Sequence, residues 1–163
     1  MHLKEITCRA LTTRSDDRIG KHVSQLTCGG VIWDHVGVWH VRFVKFIGVC
    51  SVVKAEIWGV FLGLCHAWDR GFRQIIIEID SLDALSVIKN HMLRQAKPTI
   101  LYHVSELLQR AWVVKFEHVG RDGNLVADDL AKLANVGDLQ CVTLDAPPLS
   151  VLHVLHKDVQ TWD

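Results

Sequence analysis

The 163-residue chain has no net charge, because 18 lysines and arginines face 18 aspartates and glutamates. No global basic field therefore advertises nucleic acid or an anionic membrane. The balance is uneven along the chain. Residues 1–50 hold seven basic and four acidic side chains, whereas residues 138–163 hold Lys157 against Asp138, Asp145, Asp158 and Asp163. A locally basic face is allowed by this, not required. Cysteine pairs are missing too. Cys8, Cys28, Cys50, Cys65 and Cys141 are odd in number with no close pair, which suggests neither a disulfide framework nor a zinc knuckle. None of the ten histidines stands at ligand spacing from a cysteine. Free thiols fit a reducing compartment. The amino terminus carries Lys4, Glu5 and Arg9 where a signal peptide needs an apolar core. No apolar run approaches a membrane span, and no internal repeat, low-complexity tract or interdomain linker is visible. The expectation is a soluble intracellular domain, nucleus or cytoplasm left open, long enough to bury a core without staples.

What is present is organised around residues 74–81. Ile75, Ile76, Ile77 and Ile79 make a β-branched run too short for a free-standing helix and suited to a buried strand. Apolar on both faces, such a strand belongs inside a sheet covered by other layers. It ends in Asp80, and Ser81 is placed to cap a helix over residues 82–88. A carboxylate at the carboxyl end of a central strand is where α/β sheets place their chemistry.

The remaining elements follow in order. Residues 6–13 form a candidate strand of weak alternation, and residues 16–22 a polar loop. Residues 28–33, a turn at 34–37 and an alternating strand at 38–46 make an antiparallel hairpin. Its Gly29-Gly30 pair either lets a bound backbone approach closely or marks a bulge, and the bulge is favoured. Residues 51–70 are the best helix, with Ser51 as N-cap and Gly71 just past the end. Val53, Ile57, Val60, Phe61, Leu64, Ala67 and Trp68 share one face of it. Glu56 lies at the margin of that face, where Gly59 and Gly63 leave room for close packing. Then come a loop at 90–97, a helix at 99–110, a strand at 111–118, a loop at 119–123 and a last helix at 124–135. This order predicts an α/β domain with a mixed β-sheet flanked by helices, over residues 1–137. Residues 138–163, with Pro147 and Pro148, are expected to be a tail packed on the domain or partly flexible. Val151-Leu152 and Val154-Leu155 are able to dock.

Four acids from separate elements stand out: Asp16 after the first strand, Glu56 in the long helix, Asp80, and Asp128 in the last helix. Hard cations such as Mg²⁺ take oxygen ligands, and their charge compensates clustered carboxylates. Two ions about 3.5–4 Å apart activate a water and stabilise the leaving oxygen in phosphodiester cleavage. Any one of these acids alone is more often a surface charge. The case is in the set.

Here the chain resembles the plant-type ribonuclease H domain of LINE-like retrotransposon reverse transcriptases and their free-standing relatives. The pieces that carry the resemblance run in order over residues 15–135. They are Cys28-Gly29-Gly30-Val31-Ile32-Trp33-Asp34-His35, Ile47-Gly48-Val49-Cys50-Ser51, Ala55-Glu56-Ile57-Trp58-Gly59, Gly63-Leu64, Ala67-Trp68 with Arg70-Gly71-Phe72, Glu78-Ile79-Asp80-Ser81, and residues 118–128 (HVGRDGNLVAD). The resemblance implies a ribonuclease H-like fold, two Mg²⁺ ions with Mn²⁺ as a substitute, and Asp16, Glu56, Asp80 and Asp128 as their ligands. Asp128 rather than Asp129 follows from the family's Ala-Asp pairing. It implies that His118 shuttles protons or aids product release, with a strand-end histidine of no consequence as the alternative. Ser81 and Asn124 are the implied substrate contacts, although Asn124 equally suits the N-cap of the last helix. The implied substrate is the RNA strand of an RNA–DNA hybrid, or another nucleic acid, with no membrane and no obligate protein partner.

The first motif departs from the family. Glycine after the first aspartate is replaced by Asp17, and the strand before it reads Arg9-Ala10-Leu11-Thr12-Thr13 instead of an apolar run. Two function classes are therefore carried forward: a Mg²⁺-dependent hybrid nuclease, and a degenerate domain of this type that binds nucleic acid or a protein with little or no catalysis. Nucleotide-cofactor binding is remote, because no glycine fingerprint follows a strand.

Overall fold

The structure is a computed structural model and describes residues 5–15, 25–37, 39–91, 99–120 and 142–144. In chain order the elements are β1 (Glu5–Ser15), β2 (Gln25–Asp34), β3 (Trp39–Val49), α1 (Val52–Asp69), β4 (Gln74–Ile79), α2 (Leu82–His91), α3 (Thr99–Leu108), β5 (Val113–His118) and β6 (Val142–Leu144). The strands form one sheet in the order β5-β4-β1-β2-β3-β6. β1 lies parallel to β4 and antiparallel to β2, β2 antiparallel to β3, β3 antiparallel to β6, and β4 parallel to β5. This is the expected mixed sheet flanked by helices.

Local chemistry sets the element ends. The Asp34 carboxylate accepts from the Val36 N–H (3.0 Å) and turns the chain between β2 and β3. Ser51 Oγ accepts from the Lys54 N–H (3.1 Å) and starts α1 as its N-cap. The helix stops in a Schellman arrangement: the Gly71 N–H donates to Trp68 O (3.0 Å) and the Phe72 N–H to Ala67 O (3.1 Å). Gly71 has φ +82°, which a side chain would strain. Ser81 Oγ accepts from the Ala84 N–H (3.1 Å) and starts α2 in the same way.

The core lies between the sheet and the helices. Ile6, Cys8 and Ala10 of β1, Ile32 of β2, Val41 and Phe43 of β3, and Ile75, Ile77 and Ile79 of β4 meet Ile57, Val60 and Leu64 of α1, with α2 and α3 closing the same cluster. The sheet's other face is buried as well, at Val31, Arg42, Val44 and Glu78. Among the described residues no helix is long and apolar enough to cross a membrane, and Cys8, Cys28, Cys50 and Cys65 are free thiols. Cys141 lies outside the described residues.

Five features differ from the sequence expectation. The isoleucine strand is interior but not central: β1 and β2 hold the middle of the sheet, and β4 lies between β1 and β5. The irregularities in the β2–β3 ladder fall between Leu26 and Thr27 and between Ile32 and Trp33, not at Gly29-Gly30. Gly29 answers to close approach instead, since a Cβ there would stand 2.9 Å from the Phe43 carbonyl oxygen. The face of α1 against the sheet is turned towards its small residues. Ala55, Glu56, Gly59 and Gly63 are buried, whereas Phe61 and Trp68 are half-buried. The segment after Asp138 contributes β6 to the edge of the sheet, where no strand was expected. The loop expected at 90–97 begins later, because α2 continues to His91; residues 92–98, the expected last helix and the remainder of the tail lie outside the described residues.

Candidate active site

β4 and β5 run parallel, and their ladder closes with Ile79 beside His118. One residue further, the Val119 N–H donates to Ile79 O (2.9 Å), so the two chains stay together past the strand ends. Asp80, Ser81 and His118 are thereby gathered at one corner. His118 Nε2 lies 3.1 Å from the Asp80 carbonyl oxygen. A carbonyl only accepts, so Nε2 carries the proton and donates it. Asp80 is half-buried, and its Oδ1 is fully buried with no hydrogen-bond partner among the described residues. Ser81 is committed through Oγ and its carbonyl to the first turn of α2.

Glu56 reaches the same level by way of α1. The helix touches the sheet most closely at Gly63, where a Cβ would stand 2.5 Å from Cys8 Sγ. Back from Gly63 to Glu56 is about two helical turns, roughly 10 Å along the axis. Cys8 pairs with Ile77; forward from Ile77 to Asp80 is three residues, again about 10 Å. β3 and β4 run in the same direction and α1 connects them, so the helix runs back and the two displacements point the same way. Glu56 therefore stands level with Asp80 on the helix face turned to the sheet, and it is only 4% exposed. Gly59 and Gly63 provide the closeness.

The nearby thiol has no part in the chemistry. Burial, and after it the negative charge of Glu78, push the Cys8 thiol far above its ordinary range, so it stays neutral and unreactive. Arg42 and Glu78 are buried charges that the sequence reading passed over; the only signal was one acid inside the isoleucine run and one base inside an alternating strand. Burial lowers Arg42 to about 10, which leaves it charged at neutral pH.

Of the seven residues expected at the site, the structure places four. Asp80, Ser81 and His118 come together, and Glu56 stands at their level. Asp16, Asn124 and Asp128, with the neighbours Asp17 and Asp129, lie outside the described residues. Among the described residues no group of three or more His, Cys, Asp or Glu side chains is close enough to hold a metal ion. The donors that are described do suit one: a buried carboxylate oxygen lacking a donor is satisfied by a hard cation.

A mixed sheet in this order, with a long helix packed across it and an acid at the carboxyl end of β4, defines a ribonuclease H-like domain. The sequence profile of the reverse transcriptase-like family matches residues 19–134, and the chain belongs to that family as a plant-type ribonuclease H-like domain. A candidate ribonuclease H protein of Arabidopsis thaliana is 32% identical over 133 residues, covering 81% of this chain and 22% of that protein. The chain thus spans less than a quarter of that relative's length. The N-terminal ribonuclease H domain of a Mycobacterium tuberculosis protein superposes with a TM-score of 0.66 at 19% identity, covering 79% of this chain and 91% of the other. A ribonuclease H1 isolated from compost and crystallised with an RNA/DNA hybrid gives 0.61 at 20% identity, covering 79% and 95%. At such identities these two speak for the fold alone.

Proposed function

We propose that this domain is a Mg²⁺-dependent endonuclease that cuts the RNA strand of RNA–DNA hybrids. The observation that carries this reading is the Asp80 corner, where a buried carboxylate oxygen has no hydrogen-bond donor among the described residues. A second buried carboxylate, Glu56, stands at its level. An anionic oxygen buried without a partner is costly, and a divalent cation offsets that cost. Glu56 and Asp80 would hold the metal, joined by Asp16 and Asp128, which lie outside the described residues. Bound there, two Mg²⁺ ions, or Mn²⁺ in their place, would supply an activated water and stabilise the leaving oxygen.

The chain's own groups orient and move protons. With Nε2–H tied to the Asp80 carbonyl, the exposed His118 has Nδ1 left for chemistry, and its proposed role is to shuttle protons or aid product release. Ser81 and Asn124 are the proposed contacts to the substrate backbone. The substrate class is supported by the relatives: the Arabidopsis protein is named as a candidate ribonuclease H, and the compost enzyme was crystallised with a hybrid. In such a duplex the 2′-hydroxyls mark the strand to be cut, so recognition is by shape and backbone rather than by base sequence.

The test is cleavage of an end-labelled RNA–DNA hybrid with Mg²⁺, before and after EDTA, by the parent and by Asp80→Asn. The variant keeps the shape of the side chain and removes its charge. Cleavage should stop with EDTA and be absent in folded Asp80→Asn. Undiminished cleavage in either case overturns the proposal.

A further inference from the structure

We infer that the outer edge of β5 is a self-association surface, and that its partner is the β5 edge of a second copy of this chain, paired antiparallel about Phe116. The inference goes beyond the nuclease reading and does not depend on it. β5 is the end strand of the sheet, and among the described residues nothing pairs with its outer side. Val113 there is 48% exposed, and Lys115, Glu117 and His118 are exposed as well.

The backbone decides which residues a partner can bond. The Val113 N–H donates to Arg73 O and the Val119 N–H to Ile79 O, both at 2.9 Å. Successive residues of a strand turn their N–H and C=O groups to opposite sides. The odd-numbered residues of β5 therefore face β4, and Val114, Phe116 and His118 offer theirs outward. An antiparallel partner bonds through pairs of residues that exchange both bonds. An even-numbered residue must then stand opposite an even-numbered one. Two-fold symmetric pairing that overlaps most of the strand centres on Lys115, on Phe116 or on Glu117.

Side chains choose among these three registers. Centred on Lys115, two lysines oppose each other, and centred on Glu117, two glutamates do; like charges directly opposite destabilise. Centred on Phe116, Lys115 of each copy stands opposite Glu117 of the other. These are non-hydrogen-bonded pairs, in which Cα atoms approach to about 4.5 Å and side chains come closest. In the same row Val113 meets Val119, and on the other face Phe116 meets its own copy. Charged residues on an edge strand commonly keep edges apart. Charges of one sign would do so in every register, whereas this opposite pair forbids two registers and favours the third. A strand of six residues buries less than the about 1,200–2,000 Å² of a stable interface, so the dimer is a weak one that forms at high concentration.

The test is sedimentation equilibrium of the full chain from about 10 µM to about 1 mM, the range in which weak complexes populate. The mean mass of the parent should rise above the 18.4 kDa of the monomer as concentration rises. Lys115→Glu and Glu117→Lys each set like charges opposite twice, and each should weaken association about tenfold or more. Mixed one to one, the two variants should associate again, because each then meets the opposite charge. The double variant Lys115→Glu/Glu117→Lys should match the parent. Both positions are exposed, and circular dichroism checks that each variant is folded. Amide exchange needs no variant: the Val114, Phe116 and His118 N–H groups should gain protection as the parent is concentrated. A parent that stays monomeric to about 1 mM overturns the inference and leaves the two charges as guards of the edge. So does association that the single variants keep, that mixing does not restore, or that leaves those three amides unprotected, since it then runs through another surface.

Discussion

A histidine whose Nε2–H is held by a carbonyl has one nitrogen left for chemistry. His118 is in that state, and it is exposed, so it carries little of the fold. His118→Ala should slow hybrid cleavage by about 10²-fold, the usual weight of a general acid–base group. Residual turnover should remain and the melting temperature should not move. Asp80→Asn should instead leave nothing. Cleavage by His118→Ala equal to the parent's across neutral pH would make the histidine merely structural. The sequence could single out His118 among ten only by its place in a motif. Its bond to Asp80 joins residues 38 apart in the chain, and such a contact exists only once β4 and β5 are paired.

Between elements, the packing of α1 on β1 decides where Glu56 stands. Cys8 and Ala10 are small and fully buried, and Gly63 lies directly over the Cys8 sulfur. Cys8 and Ala10 thus make a recess in β1 for the helix. Gly63→Ala puts a methyl group where the sulfur is. Helix propensity favours alanine by about 1 kcal/mol, but overpacking costs about 1–3 kcal/mol, so a net loss of stability is expected. Cys8→Ala removes the sulfur, and the double variant Cys8→Ala/Gly63→Ala should recover stability relative to Gly63→Ala alone. Additive effects in urea unfolding would show that the two residues do not meet. The two glycines were visible in the sequence as room for packing. Which side of the helix used that room was not, because the aromatic side chains make the opposite flank look equally apolar.

At the scale of the molecule, stability should carry an acid-sensitive component from His66. Its ring stacks on Phe43 of β3 at 5.0 Å, and burial, then Arg70, lower its pKa from 6.5, with Asp69 opposing. The unfolded chain therefore binds this proton more readily than the folded one. Stability from this group is intact above pH about 6.5 and is lost as the pH falls from there towards the folded value. The melting temperature should drop more steeply below that pH in the parent than in His66→Gln; parallel curves would remove His66 from the account. Both faces of the sheet are buried, as the isoleucine run by itself implied. The caps at Ser51, Gly71 and Ser81 were equally legible, since each depends on residues within one turn. The placement of β1 was not. Sliding a strand by an even number of residues keeps its alternation, and a weakly patterned strand resists even an odd shift poorly. Counting along the sequence does not say which residues stand side by side, whereas the ladders set Ala10 beside Ile79 and Leu11 beside Gly29. Helix ends and strand composition are fixed by near neighbours along the chain, and the sequence determines them; register and facing are settled by neighbours far along it, which only the folded sheet brings together.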